Sequence, residues 1–136
     1  MLAAETTITA QFYDLDPMNV VWHGNYMRFL EQARCALMDL IGYSYAEMAD
    51  SGYVWPIVDL HVKYVRAITL AQEIRVVATL TEYENQLKID YRIYDAGSGE
   101  VLTKAQTRQV AVQADRQETC FESPAILLER VRTLLA

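Results

Sequence analysis

From Asn25 to Ile41 the apolar residues Tyr26, Phe29, Leu30, Ala33, Leu37, Leu40 and Ile41 recur at spacings that place them on one side of a helix, and Gly42 follows as a natural stop. A long, strongly buried helix is expected there. Ser44-Tyr45-Ala46-Glu47 has the form of a capping box and opens a short helix through Met48 that Gly52 ends. After it the hydrophobic period shortens to two. Val58, Leu60, Val62 and Tyr64 alternate with Asp59, His61 and Lys63; Ile74, Val76, Ala78 and Leu80 alternate with Arg75 and Thr79; Leu87, Ile89, Tyr91 and Ile93 alternate with Lys88, Asp90 and Arg92. Each run predicts a strand with one buried face.

Asp95-Ala96-Gly97-Ser98-Gly99 is a turn, so residues 86–94 and 101–113 are expected to form a hairpin. Ahead of the long helix, Ile8, Ala10 and Phe12 alternate with Thr7, Thr9 and Gln11, which predicts a first strand over residues 6–13. At the other end Ser123 reads as an N-cap and Pro124 as the first helical residue, before Ile126, Leu127, Arg130, Val131 and Leu134. One strand, one long helix and then a meander of antiparallel strands make an α+β arrangement in which the sheet covers the helix.

The 136 residues suffice for one domain, 1–136, with a single core but not for separate cofactor and substrate domains. Any site that needs more walls must borrow them from another subunit. The net charge of −6, with no cluster of Lys and Arg, argues against nucleic acid as a partner. The first residues have no signal-peptide pattern and no apolar run is long enough to span a bilayer, so no membrane association is expected and the location expected is the cytoplasm. Cys35 and Cys120 lack metal-ligand spacing and read as reduced bystanders. No Gly-x-Ser-x-Gly elbow, P-loop or dinucleotide-binding glycine pattern is present.

The candidate chemistry lies in Tyr13-Asp14-Leu15-Asp16-Pro17-Met18-Asn19-Val20-Val21-Trp22-His23-Gly24-Asn25-Tyr26, which puts a carboxylate shortly before the long helix begins. Unpaired backbone amides and the helix dipole favour developing negative charge at such a place. Asp14, Asp16, Val20, His23, Asn25 and Tyr26 together resemble the signature of the hotdog-fold acyl-CoA thioesterases of the 4-hydroxybenzoyl-CoA thioesterase type. Many relatives carry a small or glycine-containing triplet after the second aspartate; here it is Pro17-Met18-Asn19.

The resemblance implies a hotdog fold, a thioester hydrolase that needs no cofactor or metal, and a homodimer or homotetramer with each site at a subunit interface. It implies that Asp16 is the nucleophile or general base, that the His23 amide polarises the thioester carbonyl, and that the His23 imidazole is a catalytic candidate. Asp14 reads as a turn carboxylate that orients the loop. Gly24 is placed to let substrate approach the backbone. Asn25 is placed to cap the long helix, with direct substrate contact as the alternative. Trp22 lines an acyl or aryl pocket or an interface. Lys63 and Arg66 are candidates for the coenzyme A tail, within a Tyr-x-Arg stretch whose usual following proline is replaced by Ala67; His61 reads as surface or interface. The expected substrate is an acyl-CoA. An acyl carrier protein thioester and a non-catalytic acyl-binding module are the alternatives, and the acidic surface disfavours an acidic carrier.

Overall fold

A computed structural model describes residues 2–136. Its framework is a five-stranded antiparallel sheet in the order β1-β4-β5-β6-β3, formed by β1 (Ala3–Thr9), β3 (Ile57–Tyr64), β4 (Glu73–Glu82), β5 (Leu87–Asp95) and β6 (Val101–Gln109). The long helix α1 (Tyr26–Ile41) lies on one face, against β1 and β4. Phe29, Ala33 and Leu37 on the helix and Ile74, Val76, Leu87, Ile89 and Ile93 on the sheet are fully buried, so both periods seen in the sequence meet in one core. Leu40 belongs to the apolar pattern but is exposed at the helix rim. Gly42 ends α1 at φ +82°, with its amide donating to the carbonyls of Met38 and Asp39.

The short helix α2 (Tyr45–Asp50) starts as expected, with Ser44 Oγ accepting from the Glu47 amide at 3.4 Å. Two predicted boundaries move. The first strand spans Ala3–Thr9 instead of 6–13, because the Asp14 carboxylate captures the Gln11 amide at 2.8 Å and winds Phe12–Asp14 into a 3-10 turn. Phe12, expected inside, is 81% exposed. The predicted strand 101–113 stops at Gln109; β7 (Val112–Gln113) instead joins β2 (Tyr53–Val54) and β8 (Glu118–Thr119) in a small three-stranded sheet. The closing helix α3 (Ala125–Leu135) has Pro124, not Ser123, at its N-cap, and the Ser123 hydroxyl is buried with no partner among the described residues.

The largest departure is β3. The alternation of Val58, Leu60, Val62 and Tyr64 predicts a buried face, yet β3 is exposed along nearly its whole length. Its register with β6 puts Leu60, Val62 and Tyr64 opposite Thr107, Ala105 and Thr103, which are buried. The apolar face therefore points to the helix side, but the strand lies at the sheet edge, where the start of α1 meets its end through Tyr26 and Tyr64 and most of its length stays exposed.

Candidate active site

The Asp16 loop is a tight reversal held from both flanks. Leu15 bridges to Val21 and Val20 to Thr69. Within the turn the Asp16 amide donates to the Val20 carbonyl at 2.9 Å, and the Asn19 amide returns to the Asp16 carbonyl at 3.0 Å. Asn19 takes φ +63°, the left-handed conformation that asparagine tolerates better than most side chains. Pro17 sits at the corner, its fixed φ suited to a turn. One Asp16 oxygen, Oδ1, accepts from the Met18 amide at 2.8 Å, an Asx turn that fixes the side chain. The other oxygen accepts from no donor among the described residues, and Asp16 lines the adjoining cavity.

Asp14 has the separate structural task expected of it. It is 1% exposed, accepts from the Gln11 amide and forms an ion pair with Arg28 on α1. Its carbonyl receives the Trp22 amide at 3.0 Å and the Asn25 side-chain amide at 2.9 Å. Asn25 thus neither caps α1 with its oxygen nor lines the cavity. A 3-10 turn over His23–Asn25 holds it in helical conformation, and its side chain is spent tying the helix start to Asp14.

That turn leaves two donors unused. The Asn25 amide donates to the Trp22 carbonyl and the Tyr26 amide to the His23 carbonyl, whereas the amides of His23 and Gly24, first in the turn, donate to no acceptor among the described residues. The Tyr64 hydroxyl donates to the His23 carbonyl at 2.9 Å, and its ring stands edge-on to Tyr26 with centroids 4.6 Å apart. Burial pushes both phenols above their ordinary pKa.

Asp16, His23, Tyr26, Tyr64 and Arg66 line one cavity of about 310 Å³. Of the residues marked in the sequence, Asp16, His23 and Arg66 therefore converge. Lys63 does not, because the strand alternation sends it to the opposite face of the sheet. Arg66 pairs with Glu100 at the cavity rim. A Cβ at Gly24 would collide with the Trp22 ring, which is one reason for glycine at this position. Trp22 is half-exposed, with its ring 5.1 Å from that of His23, and forms an outer shoulder of the loop instead of a cavity wall.

Sequence reasoning missed Arg28 and Tyr64. Arg28 lies on the exposed side of the helical pattern, and only the buried Asp14 opposite reveals its purpose. Tyr64 closes an alternating strand and so looked like another core residue. We expect Tyr64→Phe, which removes one hydrogen bond of about 1 kcal/mol, to lower kcat about fivefold while leaving the fold intact. Steady-state kinetics beside a thermal melt would check this, and unchanged kcat would mean that the His23 turn needs no anchor.

The model of the thioesterase-like superfamily matches residues 10–131, from the turn before Asp14 into the last helix. The chain belongs to the thioesterase-like superfamily. This superfamily member is 30% identical over 117 residues to the Bacillus subtilis (strain 168) protein named "Putative acyl-CoA thioesterase YneP", covering 85% of this chain and 83% of that protein. It is also similar to the DHNA-CoA thioesterase structure from Staphylococcus aureus, with a TM-score of 0.81 at 29% identity over 89% of this chain and 81% of that one. Slr0204 from Synechocystis, a 1,4-dihydroxy-2-naphthoyl-CoA thioesterase, superposes with a TM-score of 0.86 over 98% of each chain; at 18% identity that likeness concerns the fold alone. The fold is the hotdog fold expected from the sequence.

Proposed function

We propose that this superfamily member hydrolyses acyl-CoA or aroyl-CoA thioesters to a free acid and coenzyme A, with Asp16 as the reacting carboxylate. The observation that carries the reading is the pairing in one loop of a fixed carboxylate that keeps one oxygen free with a helix-leading turn whose first two amides are unused. A thioester carbonyl is already electrophilic, so an activated nucleophile and a site for the oxyanion suffice. The His23 and Gly24 amides supply that site.

Two courses fit Asp16. As a nucleophile it attacks the carbonyl carbon, the C–S bond breaks, coenzyme A leaves as thiolate and takes a proton, and water then cleaves the mixed anhydride. As a general base it removes a proton from water as the oxygen attacks the carbonyl carbon; the tetrahedral intermediate then collapses, the C–S bond breaks, and coenzyme A leaves as thiolate and takes that proton. The exposed His23 imidazole at the cavity mouth is placed to exchange protons with the leaving thiolate or the attacking water.

The working unit in this reading is a homodimer, with a tetramer as its further association. What supports it is the unpaired, apolar edge of β3, which ends at Tyr64 inside the cavity. A second copy laid on that edge covers Leu60 and Val62 and adds a wall beside Asp16. No helix among the described residues is long and apolar enough to cross a membrane, and the two free cysteines suit the reducing cytoplasm assigned in this reading.

The steps above route no bond through a metal, and among the described residues no three His, Cys, Asp or Glu side chains are grouped to hold one. Turnover is therefore expected to be the same with and without EDTA; loss on chelation, restored by a divalent ion, would contradict the mechanism. The proposal itself is tested by thiol release from short, medium, long-chain and aromatic acyl-CoA substrates, with the best acyl group also offered on acyl carrier protein. Turnover of the coenzyme A form is the expected result. Preference for the carrier protein would change the assigned substrate, and binding of acyl-CoA without thiol release would make the chain a binding module.

A further inference from the structure

The outer face of the sheet carries an arrangement of charge for which the hydrolytic site has no use. In a chain of net charge −6, three cations stand side by side on neighbouring strands: Lys63 on β3 lies directly across from Lys104 on β6, and Lys104 directly across from Arg92 on β5. Strands are about 4.8 Å apart, so the row spans about 10 Å, and like charges placed directly opposite are unfavourable. All three residues are exposed, and none pairs with a carboxylate among the described residues.

Two arginines on this face are neutralised. Arg108 meets Asp59 at 3.4 Å and Arg75 meets Glu5 at 2.9 Å. The row of three, with His61 and Gln106 on the next rung, instead lines a shallow cavity of about 310 Å³. One acid, Asp90, borders it, and its carboxylate accepts from the Gln106 side chain at 2.7 Å.

The position of the row relates it to the active site. Lys63 immediately precedes Tyr64, whose side chain lies on the opposite face of β3 and lines the Asp16 cavity. Val65 and Arg66 then carry the chain past the end of β3 and also line that cavity. The cation row and the reacting carboxylate thus lie on two sides of one strand end, joined around its tip.

We infer that Lys63, Lys104 and Arg92 form a phosphate-binding site on the outer sheet face, which holds the phosphates of the coenzyme A end while the acyl end lies at Asp16. Ammonium and guanidinium groups in a row fit successive phosphate oxygens, and the guanidinium can bind them in bidentate fashion. The assignment rests on the proposed acyl-CoA hydrolysis for its ligand, but binding can be read without turnover.

The test uses Lys104→Gln/Arg92→Gln, both at exposed positions, with the charge-retaining Lys104→Arg/Arg92→Lys as the control. Calorimetric titration at low salt with coenzyme A, 3′-dephospho-coenzyme A and inorganic pyrophosphate reads the site directly. The neutral double variant is expected to bind coenzyme A about tenfold more weakly, as for two exposed charge contacts, and to show a flatter salt dependence. The charge-retaining variant is expected to bind as wild type does. A loss confined to coenzyme A assigns the row to the 3′-phosphate, whereas an equal loss for all three ligands assigns it to the diphosphate. With hydrolysis as a second readout, the preference in kcat/KM for a coenzyme A thioester over the matching pantetheine thioester falls in the neutral variant. Equal coenzyme A binding by wild type and the neutral variant would overturn the site. If the wild type binds coenzyme A through this row yet releases no thiol, the hydrolase reading fails and the phosphate site stands.

Discussion

Leu60→Glu is expected to convert the protein from a dimer into a folded monomer of 15.6 kDa and to lower turnover by about 10²-fold, the scale expected when a reacting group loses its alignment. The side chain is 43% exposed on the edge strand, so the charge is tolerated by the single chain. It is not tolerated when two copies of β3 are placed edge to edge, because each then brings a carboxylate into an apolar seam. The edge itself is eight residues long and has no neighbouring strand on one side among the described residues, leaving a row of backbone donors and acceptors that a second strand would satisfy. The link to activity is Tyr64, which ends that strand and anchors the His23 turn. Sedimentation equilibrium with thiol-release kinetics on the same preparation checks both parts. A Leu60→Glu monomer with full activity would show that one chain builds the whole site.

The same strand marks the limit of what the sequence conveys. The period of two in Val58, Leu60, Val62 and Tyr64 correctly predicts a strand with one apolar face, but periodicity cannot say what covers that face. The core strands β4 and β5 have the same pattern, and there α1 or its surroundings exclude water. For β3 the covering surface in the proposed dimer is a second copy of the chain. The long helix, by contrast, was legible almost to the residue, since its apolar stripe and Gly42 are both local signals.

The site was legible in its carboxylate and obscure in its supports. Asp16 and His23 stand out from the motif and line one cavity. Asn25 misleads because a side-chain amide before a helix usually caps it, whereas here the chain enters through a 3-10 turn and the amide reaches back to Asp14. At Gly24 the sequence likewise hides a packing constraint, since a side chain there would meet the ring of Trp22, two residues earlier. Lys63 and Arg66 are three residues apart, yet the pleat of β3 and the turn after it send them to different cavities. Long-range pairs such as Arg28 with Asp14 and Tyr64 with the His23 carbonyl leave no trace in spacing.

Asp16→Asn is expected to lower kcat by roughly 10² or more, as when a nucleophile or positioned base is lost. The amide is nearly the same size, and its oxygen can still accept from the Met18 amide, so the turn from Leu15 to Val21 should persist. What vanishes is the charge on the free oxygen. The unused His23 and Gly24 amides remain to hold the carbonyl, so acyl-CoA should bind about as tightly as before. The decisive measurement is therefore thiol release and acyl-CoA affinity determined side by side for wild type, Asp16→Asn and Asp16→Ala. Folded variants that bind acyl-CoA normally and release thiol at least about 10²-fold more slowly are the predicted result. Near-wild-type thiol release by either variant would contradict Asp16 as the reacting group and, with it, the hydrolytic centre described for this loop.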